Sequence, residues 1–258
     1  MRTALRVLVI IPTYNEALTM PGVVRRVLDT TRGSDHEVEV LVVDDASPDG
    51  TGDLADELAA THARVHVLHR PVKDGLGPAY RAGFAWAMQR RFEVCCEMDA
   101  DESHDPADLP RLLWALGGAD LVIGSRYVPG GGVRDWPWYR LALSQGGNRY
   151  AKSVTGLPVA DATSGYRAFR VEVLQALNLA TVHSDGYGFQ VEMALRTWRL
   201  GFRIVEVPII FVERTAGASK INRAIVFEAL WRVLRWGLHG PRRAGPLHPA
   251  SVLLVDRH

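Results

Sequence analysis

Apolar residues in this chain come in short unbroken runs, each closed by a polar turn and followed by a segment with helical spacing. Val7-Leu8-Val9-Ile10-Ile11 is the first run; Pro12-Thr13-Tyr14-Asn15-Glu16 closes it, and Val23, Val24, Val27 and Leu28 then recur as one face of a helix. A run without polar alternation predicts a strand buried on both sides, the condition of a parallel sheet covered by helices. The pattern repeats. Val40 to Val43 ends at Asp44-Asp45, Ser47-Pro48-Asp49-Gly50-Thr51 makes a turn, and Asp53 to Ala60 has the spacing of a second helix. Val65 to Leu68, Glu93 to Met98 and Leu121 to Gly124 predict three more strands, separated by helices over Tyr80 to Arg90 and Pro106 to Leu116. This alternation predicts a doubly wound, parallel α/β sheet.

Ligands of such sheets bind in the crevice beyond the carboxyl ends of the strands. The polar groups of this chain fall there: Pro12 to Glu16 after the first strand, Asp44-Asp45 after the second, Asp99 and Asp101 after the fourth, Ser125-Arg126 after the fifth. The densest stretch is Glu97-Met98-Asp99-Ala100-Asp101-Glu102-Ser103-His104. Residues two apart on an extended segment point the same way, so Asp99 and Asp101 can aim at one point. Converging carboxylates supply hard oxygen ligands for a divalent cation that bridges protein and nucleotide diphosphate. The same stretch also works as an ordinary strand-to-helix loop in which Asp105 caps a helix opening at Pro106. No G-x-G-x-x-G follows the first strand and no G-x-x-x-x-G-K-[ST] occurs, so neither the usual dinucleotide site nor a P-loop is indicated. Gly75-Leu76-Gly77 has the character of a helix opening.

After Arg126 the alternation stops. Residues 129–138 form a Gly- and Trp-rich loop of the kind that serves as a lid. A helix from Tyr139 to Thr155 carries Arg140, Ser144 and Arg149; Asp161 to Arg170 mixes small, aromatic and basic residues; Gly186 to Leu200 is helical and stops at Gly201. Arg203 to Val212 is expected as the final strand, leading into Glu213 to Lys220. Ile221 to His239 then sets Trp231, Val233, Leu234 and Trp236 among Arg232 and Arg235. That C-terminal amphipathic helix suits a membrane interface or a docking site on the core.

The 258 residues are 47% apolar, enough for one large α/β domain or two small ones; a single catalytic domain is expected over residues 1–239, followed by a tail, residues 240–258, without legible pattern. A net charge of +1 gives no global attraction for nucleic acid. Cys95 and Cys96, the only cysteines, are adjacent in a predicted strand and face opposite ways, which excludes a disulfide framework and fits a reducing cytosol. The first apolar run is too short for a signal peptide, and no run reaches the roughly 18 to 20 residues of a membrane span. The nine histidines show no metal-ligand spacing.

Seven stretches carry a resemblance over about Val7 to Leu238: Pro12 to Glu16, Val42 to Thr51, Met98 to Asp101, Gly124 to Tyr127, Ser164 to Arg167, Gly186 to Gln190, and Arg214 to Lys220. In this order they resemble glycosyltransferase family 2, and within it the polyprenyl-phosphate (dolichol-phosphate) mannose synthases. The resemblance implies a GT-A type, Rossmann-like fold and inverting transfer of mannose from GDP-mannose to a polyprenyl phosphate. It implies that Pro12, Tyr14, Glu16, Val43 and Asp45 hold the guanosine. Asp99, Ala100 and Asp101 would hold the sugar diphosphate through Mg²⁺ or Mn²⁺, with Arg214 and Lys220 neutralising it. Relatives often carry a further metal-binding side chain at the position of Ser103, which can ligate directly or through water. Arg126, Arg140 and Ser144 match positions facing the acceptor phosphate, although a lone arginine such as Arg140 also suits a solvated surface. Asp161, Gln190 and Glu192 are candidates for orienting sugar or acceptor; Gln190 and Glu192 equally suit the helix start. Many relatives continue into transmembrane helices. This chain instead implies a catalytic domain on the cytoplasmic face, meeting its lipid at the membrane surface or through a membrane-embedded partner. Transfer from another nucleotide sugar such as UDP-glucose, or a non-catalytic nucleotide-sugar-binding subunit of a membrane assembly, are the competing readings.

Overall fold

The computed structural model describes residues 4–213, 223–239 and 251–252. The first half follows the alternation in the sequence: β1 (Arg6–Thr13), α1 (Met20–Thr30), β2 (Glu37–Asp44), α2 (Thr51–Thr61), β3 (Val65–His69), α3 (Leu76–Gln89), β4 (Val94–Glu97), α4 (Leu109–Ala115) and β5 (Leu121–Ser125). The second half comprises β6 (Gly132–Arg134), α5 (Trp138–Thr155), β7 (Arg167–Arg170), α6 (Val171–Ala176), α7 (Gly186–Arg199), β8 (Ile204–Pro208), β9 (Ile210–Val212), α8 (Arg223–His239) and β10 (Ser251–Val252). Eight strands form one sheet in the order β10-β8-β5-β7-β4-β1-β2-β3, and β6 pairs with β9 in a second, two-stranded sheet.

Continuous apolar runs give strands buried on both faces. Val7, Val9 and Ile11 of β1 pack with Val40, Val42 and Cys96 against α1 and α4, whereas Leu8 and Ile10 pack with Leu41, Val43 and Cys95 against α3 and α7. The adjacent cysteines therefore do face opposite layers, and both are free thiols. Gly83 lets α3 press onto β1, because a Cβ there would lie 2.6 Å from Ile10 Cγ2. Each fully buried aliphatic side chain contributes about 1.5–3 kcal/mol, which makes this double layer the rigid part of the molecule.

The sheet is mostly parallel, as expected, and two of its features were not read from the alternation. Arg167–Arg170 is a strand, antiparallel to both β4 and β5 and wedged between them. The sequence assigns no element to this stretch of small, aromatic and basic residues; Arg167 is fully buried in it, donating to the carbonyls of Ser164, Ala162 and Gln190 at 2.8, 2.7 and 2.7 Å. The expected single strand Arg203 to Val212 is two strands in different sheets. Pro208 has no N–H to continue a ladder, and the chain leaves the main sheet there.

Helix α8 packs on α5 and α7. Val233 is buried, Tyr150 Oη donates to Leu230 O at 3.2 Å, and Arg199 Nη2 donates to Trp236 O at 2.8 Å, while Trp231 and Leu238 are 68% and 70% exposed. Within the 240–258 segment, Ser251–Val252 pairs in parallel with β8 at the sheet edge. Among the described residues no helix is long and apolar enough to cross a membrane.

Candidate active site

Strand β1 lies between β2 and β4, and a cavity of about 480 Å³ opens where the carboxyl ends of β1 and β4 diverge. This is the switch point at which open α/β sheets bind ligands.

The first wall is the turn after β1, which contributes Pro12, Tyr14 and Glu16. Asn15 takes a left-handed φ of +60° there. Side chains of the β2 turn hold it: Ser47 Oγ accepts from Asn15 N at 3.1 Å, Thr51 Oγ1 from Glu16 N at 3.0 Å, and Asp49 Oδ2 from Ala17 N at 3.1 Å. The stretch Ser47 to Thr51 thus acts as a brace for the ligand-facing turn. Asp45 also lines the cavity, tied to Arg70 Nη1 at 2.7 Å; burial raises its pKa despite that partner. Lys73, which no motif singled out, sits with its Nζ 3.7 Å from the Tyr14 ring centre.

Asp99, Ala100 and Asp101 form the second wall. Ser103 N donates to Asp101 Oδ1 at 3.1 Å, and His104 Nδ1 accepts from Asp99 N at 3.2 Å. His104 is buried between Tyr166 and Phe211, with ring centres 5.0 and 5.4 Å away. The lack of ligand spacing gave no hint of this support role. Below the pair, burial pushes Glu97 up to about 7, opposed by Arg167 and Gln190 and reinforced by Asp99.

Across the cavity stand Arg126, Trp136 and Arg140. Arg126 grips Asp161: its backbone N–H donates at 3.0 Å, and Nε and Nη2 each donate at 2.7 Å. Burial acts against both charges, but each ion overrides it for the other, so Arg126 is raised and Asp161 lowered. Arg140 pairs with Glu213. The start of α7 completes the chamber with Asp185, Tyr187 and Gln190. Asp185 Oδ1 accepts from Gly77 N at 2.8 Å, joining the openings of α7 and α3.

Several candidates do not reach the cavity lining. Val43 is a core residue whose carbonyl accepts from Thr13 Oγ1 at 3.3 Å. Ser103 is fully buried, and its hydroxyl has no hydrogen-bond partner among the described residues. Ser144 accepts from Tyr127 Oη at 2.6 Å, Asp161 lies behind Arg126, and Glu192 is buried against Ser184 and Arg196. Arg214 and Lys220 lie outside the described residues.

The charges of the lining decide what it can hold. Glu16, Asp45, Asp99, Asp101 and Asp185 face Lys73, Arg126 and Arg140, and both arginines already have carboxylate partners. A diphosphate entering this acidic chamber needs an additional cation. Among the described residues no group of three or more His, Cys, Asp or Glu is placed to hold a metal. Two carboxylates, Asp99 and Asp101, are the residues that would hold a hard divalent cation there, and such a cation would supply the missing positive charge.

A switch-point cavity with an acidic pair at one strand end and arginines opposite fits an enzyme of GT-A type fold, and the sequence relationships define the chain as a glycosyltransferase. It belongs to glycosyl transferase family 2, whose sequence profile matches residues 8–177. The chain is 56% identical over 234 residues to an undecaprenyl-phosphate mannosyltransferase of Micrococcus luteus, covering 91% of this chain and 95% of that protein. It is 53% identical over 241 residues to a polyprenol monophosphomannose synthase of Mycolicibacterium smegmatis, covering 93% and 89%. Its fold is similar to that of a mannosyltransferase from Pyrobaculum calidifontis solved with GDP-Man and Mn²⁺, at a TM-score of 0.58 and 20% identity, covering 92% of this chain and 71% of the other.

Proposed function

We propose that this protein transfers mannose from GDP-mannose to a polyprenyl monophosphate, with inversion at the anomeric carbon. The observation that carries this reading is the single cavity joining the Pro12 to Glu16 turn and the Asp99/Asp101 pair to Arg126 and Arg140. The relatives that act on polyprenyl phosphates match nearly the whole chain and support the choice of acceptor.

An acceptor phosphate is already an anion near neutral pH, so the reaction needs no strong base. Its oxygen attacks the anomeric carbon from the face opposite the diphosphate; the new C–O bond forms as the bond to GDP breaks, and the negative charge passes to GDP. Positioning and charge matching therefore carry most of the catalysis. Pro12, Tyr14, Glu16 and Asp45 bind the nucleoside, with Val43 supporting the wall from the core. Asp99 and Asp101 hold Mg²⁺ or Mn²⁺, which when bound neutralises charge on the diphosphate. Arg126 and Arg140 take the acceptor phosphate, Asp161 fixes Arg126, and Ser144 acts through Tyr127. Arg214 and Lys220, two and eight residues beyond the end of β9 in sequence, supply cations for the departing diphosphate.

The acceptor's tail cannot enter water, and apolar surface borders the arginines. Trp138, Tyr139 and Leu143 on α5 are 80%, 62% and 53% exposed, beside Trp136 and Arg140. Amphipathic aromatics beside basic residues suit a headgroup layer. This supports peripheral attachment to a membrane surface, with the outer side of α8 as a second contact; the cytoplasmic face is the side we assign to it.

Ligand-dependent melting tests the donor assignment. With Mn²⁺ present, GDP at about a hundred times its Kd should stabilise the protein by ~2.7 kcal/mol. Equal stabilisation by UDP, or none by GDP, contradicts the reading.

A further inference from the structure

We propose that Trp136 is a positioning residue for the acceptor phosphate: its ring face holds Arg140 and Arg126 together at the acceptor end of the cavity. The inference rests on the mannosyl-transfer reading above. Arg140 Cζ lies 4.2 Å from the Trp136 ring centre and Arg126 Cζ lies 5.4 Å from it. The two guanidinium groups carry like charge, and each has a carboxylate on a different element: Asp161 for Arg126, Glu213 for Arg140. Those carboxylates pull the arginines toward different parts of the fold. Trp136 is the aromatic ring near both, and the negative face of an indole is the strongest attractor of cations among side-chain rings.

The ring is itself held. Phe211 meets it edge-on at 5.3 Å between centres and lies 5.5 Å from Arg126 Cζ. Strand β9 delivers Phe211, and its pairing with β6 places Val133 opposite Phe211, three residues before Trp136. The small second sheet thus has a use: it anchors the loop that presents Trp136. Phe211 also packs nearly perpendicular to His104, at 5.4 Å between ring centres, and His104 Nδ1 accepts from the backbone of Asp99. One aromatic wall therefore runs from the acceptor arginines to the support of the donor carboxylates. The Trp136 indole N–H is buried and has no partner among the described residues, so the ring is not fixed by a hydrogen bond of its own. Its place is set by ring packing.

When a phosphate enters, it competes with Asp161 and Glu213 for the arginines. A guanidinium that turns from its carboxylate toward phosphate keeps its stacking on Trp136, which holds the two forks on the acceptor side. Losing the ring should weaken acceptor capture more than nucleotide binding, because Trp136 lies against Arg140 and Arg126 at the acceptor end of the cavity.

Steady-state kinetics with GDP-mannose and a short, water-soluble polyprenyl phosphate test this on Trp136→Ala, Trp136→Phe, Arg140→Lys and the Trp136→Ala/Arg140→Lys double variant. Trp136→Ala should raise acceptor KM roughly tenfold, between the scales of an exposed and a desolvated cation–π contact, with donor KM nearly unchanged. Trp136→Phe should recover most of the loss, since a benzene face still stacks. The double variant should lose less than the product of the single losses, because both act on one contact. An unchanged acceptor KM in Trp136→Ala, a parallel rise for donor and acceptor, no recovery by Phe, or multiplicative losses would each overturn the proposal. The wild-type rate separates the two claims: no transfer by wild type removes the mannosyl-transfer reading, whereas normal wild-type transfer with any of those results removes only the role of Trp136.

Discussion

Replacing Asp161 by Ala should cost the protein more than most single changes in its core. Asp161 is fully buried and accepts from Arg126 three times, through N, Nε and Nη2, and from Thr163 Oγ1 at 3.1 Å. Its removal leaves a guanidinium that is only 5% exposed without its counter-ion. Breaking a buried pair from one side costs about 3–5 kcal/mol. Urea denaturation should therefore show a lower midpoint with an unchanged slope. Arg126→Met in the Asp161→Ala background should restore part of the loss, because the stranded charge is then gone. The pH dependence has a defined sign. Burial opposes the Asp161 carboxylate, but Arg126 outweighs burial and holds its pKa below the ordinary value. The stability this adds is present above the unfolded-state pKa and disappears as pH falls through the depressed folded value, so wild type and Asp161→Ala should converge toward acid pH. A loss below about 1 kcal/mol at neutral pH, against the 3–5 expected for a one-sided break, or a double variant less stable than Asp161→Ala, would refute the reasoning.

The remaining expectations concern cation and lipid. Asp101→Ala should abolish transfer while circular dichroism and melting stay near wild type, and excess chelator should do the same to wild type; full activity in either case excludes the metal role of the pair. Arg126→Lys should raise the acceptor requirement and leave GDP binding nearly unchanged, since the charge stays and the two-pronged grip is lost; a defect confined to GDP-mannose binding assigns Arg126 to the donor instead. Trp138→Ala with Trp231→Ala should weaken sedimentation with anionic vesicles and slow transfer to long-chain acceptors more than to short ones. Both residues are mostly exposed, so a large fall in melting temperature with equal loss on both acceptors would argue for packing roles.

The first half of the fold was legible because its strands are apolar runs and its helices have one apolar face, from Val7 in β1 to Ser125 at the end of β5. Strand β7 was hidden by its composition: Arg167 and Arg170 bound a four-residue segment, and backbone carbonyls brought from α7 and the preceding loop, together with the Glu97 and Asp161 carboxylates, make a buried arginine tolerable there. The break at Pro208 could have been read from the missing N–H. At the site, the strand-end carboxylates announced themselves by spacing. His104, Lys73 and Asp185 did not, because each acquires its place through tertiary contacts with Tyr166 and Phe211, Tyr14, and Gly77 respectively. Ser103 and Ser144 were picked out by motif position, yet burial and Tyr127 turn them away from the cavity lining.

Incubation of the purified protein with GDP-mannose carrying labelled mannose, a polyprenyl monophosphate and Mn²⁺ tests the central claim most directly. Extraction into organic solvent should recover a labelled lipid whose mannose is released by mild acid and whose anomeric configuration is opposite to that of the donor. Its formation should stop when the lipid phosphate is replaced by the free alcohol. Label remaining wholly in the aqueous phase, equal product from UDP-glucose, or a product with retained configuration would contradict the account.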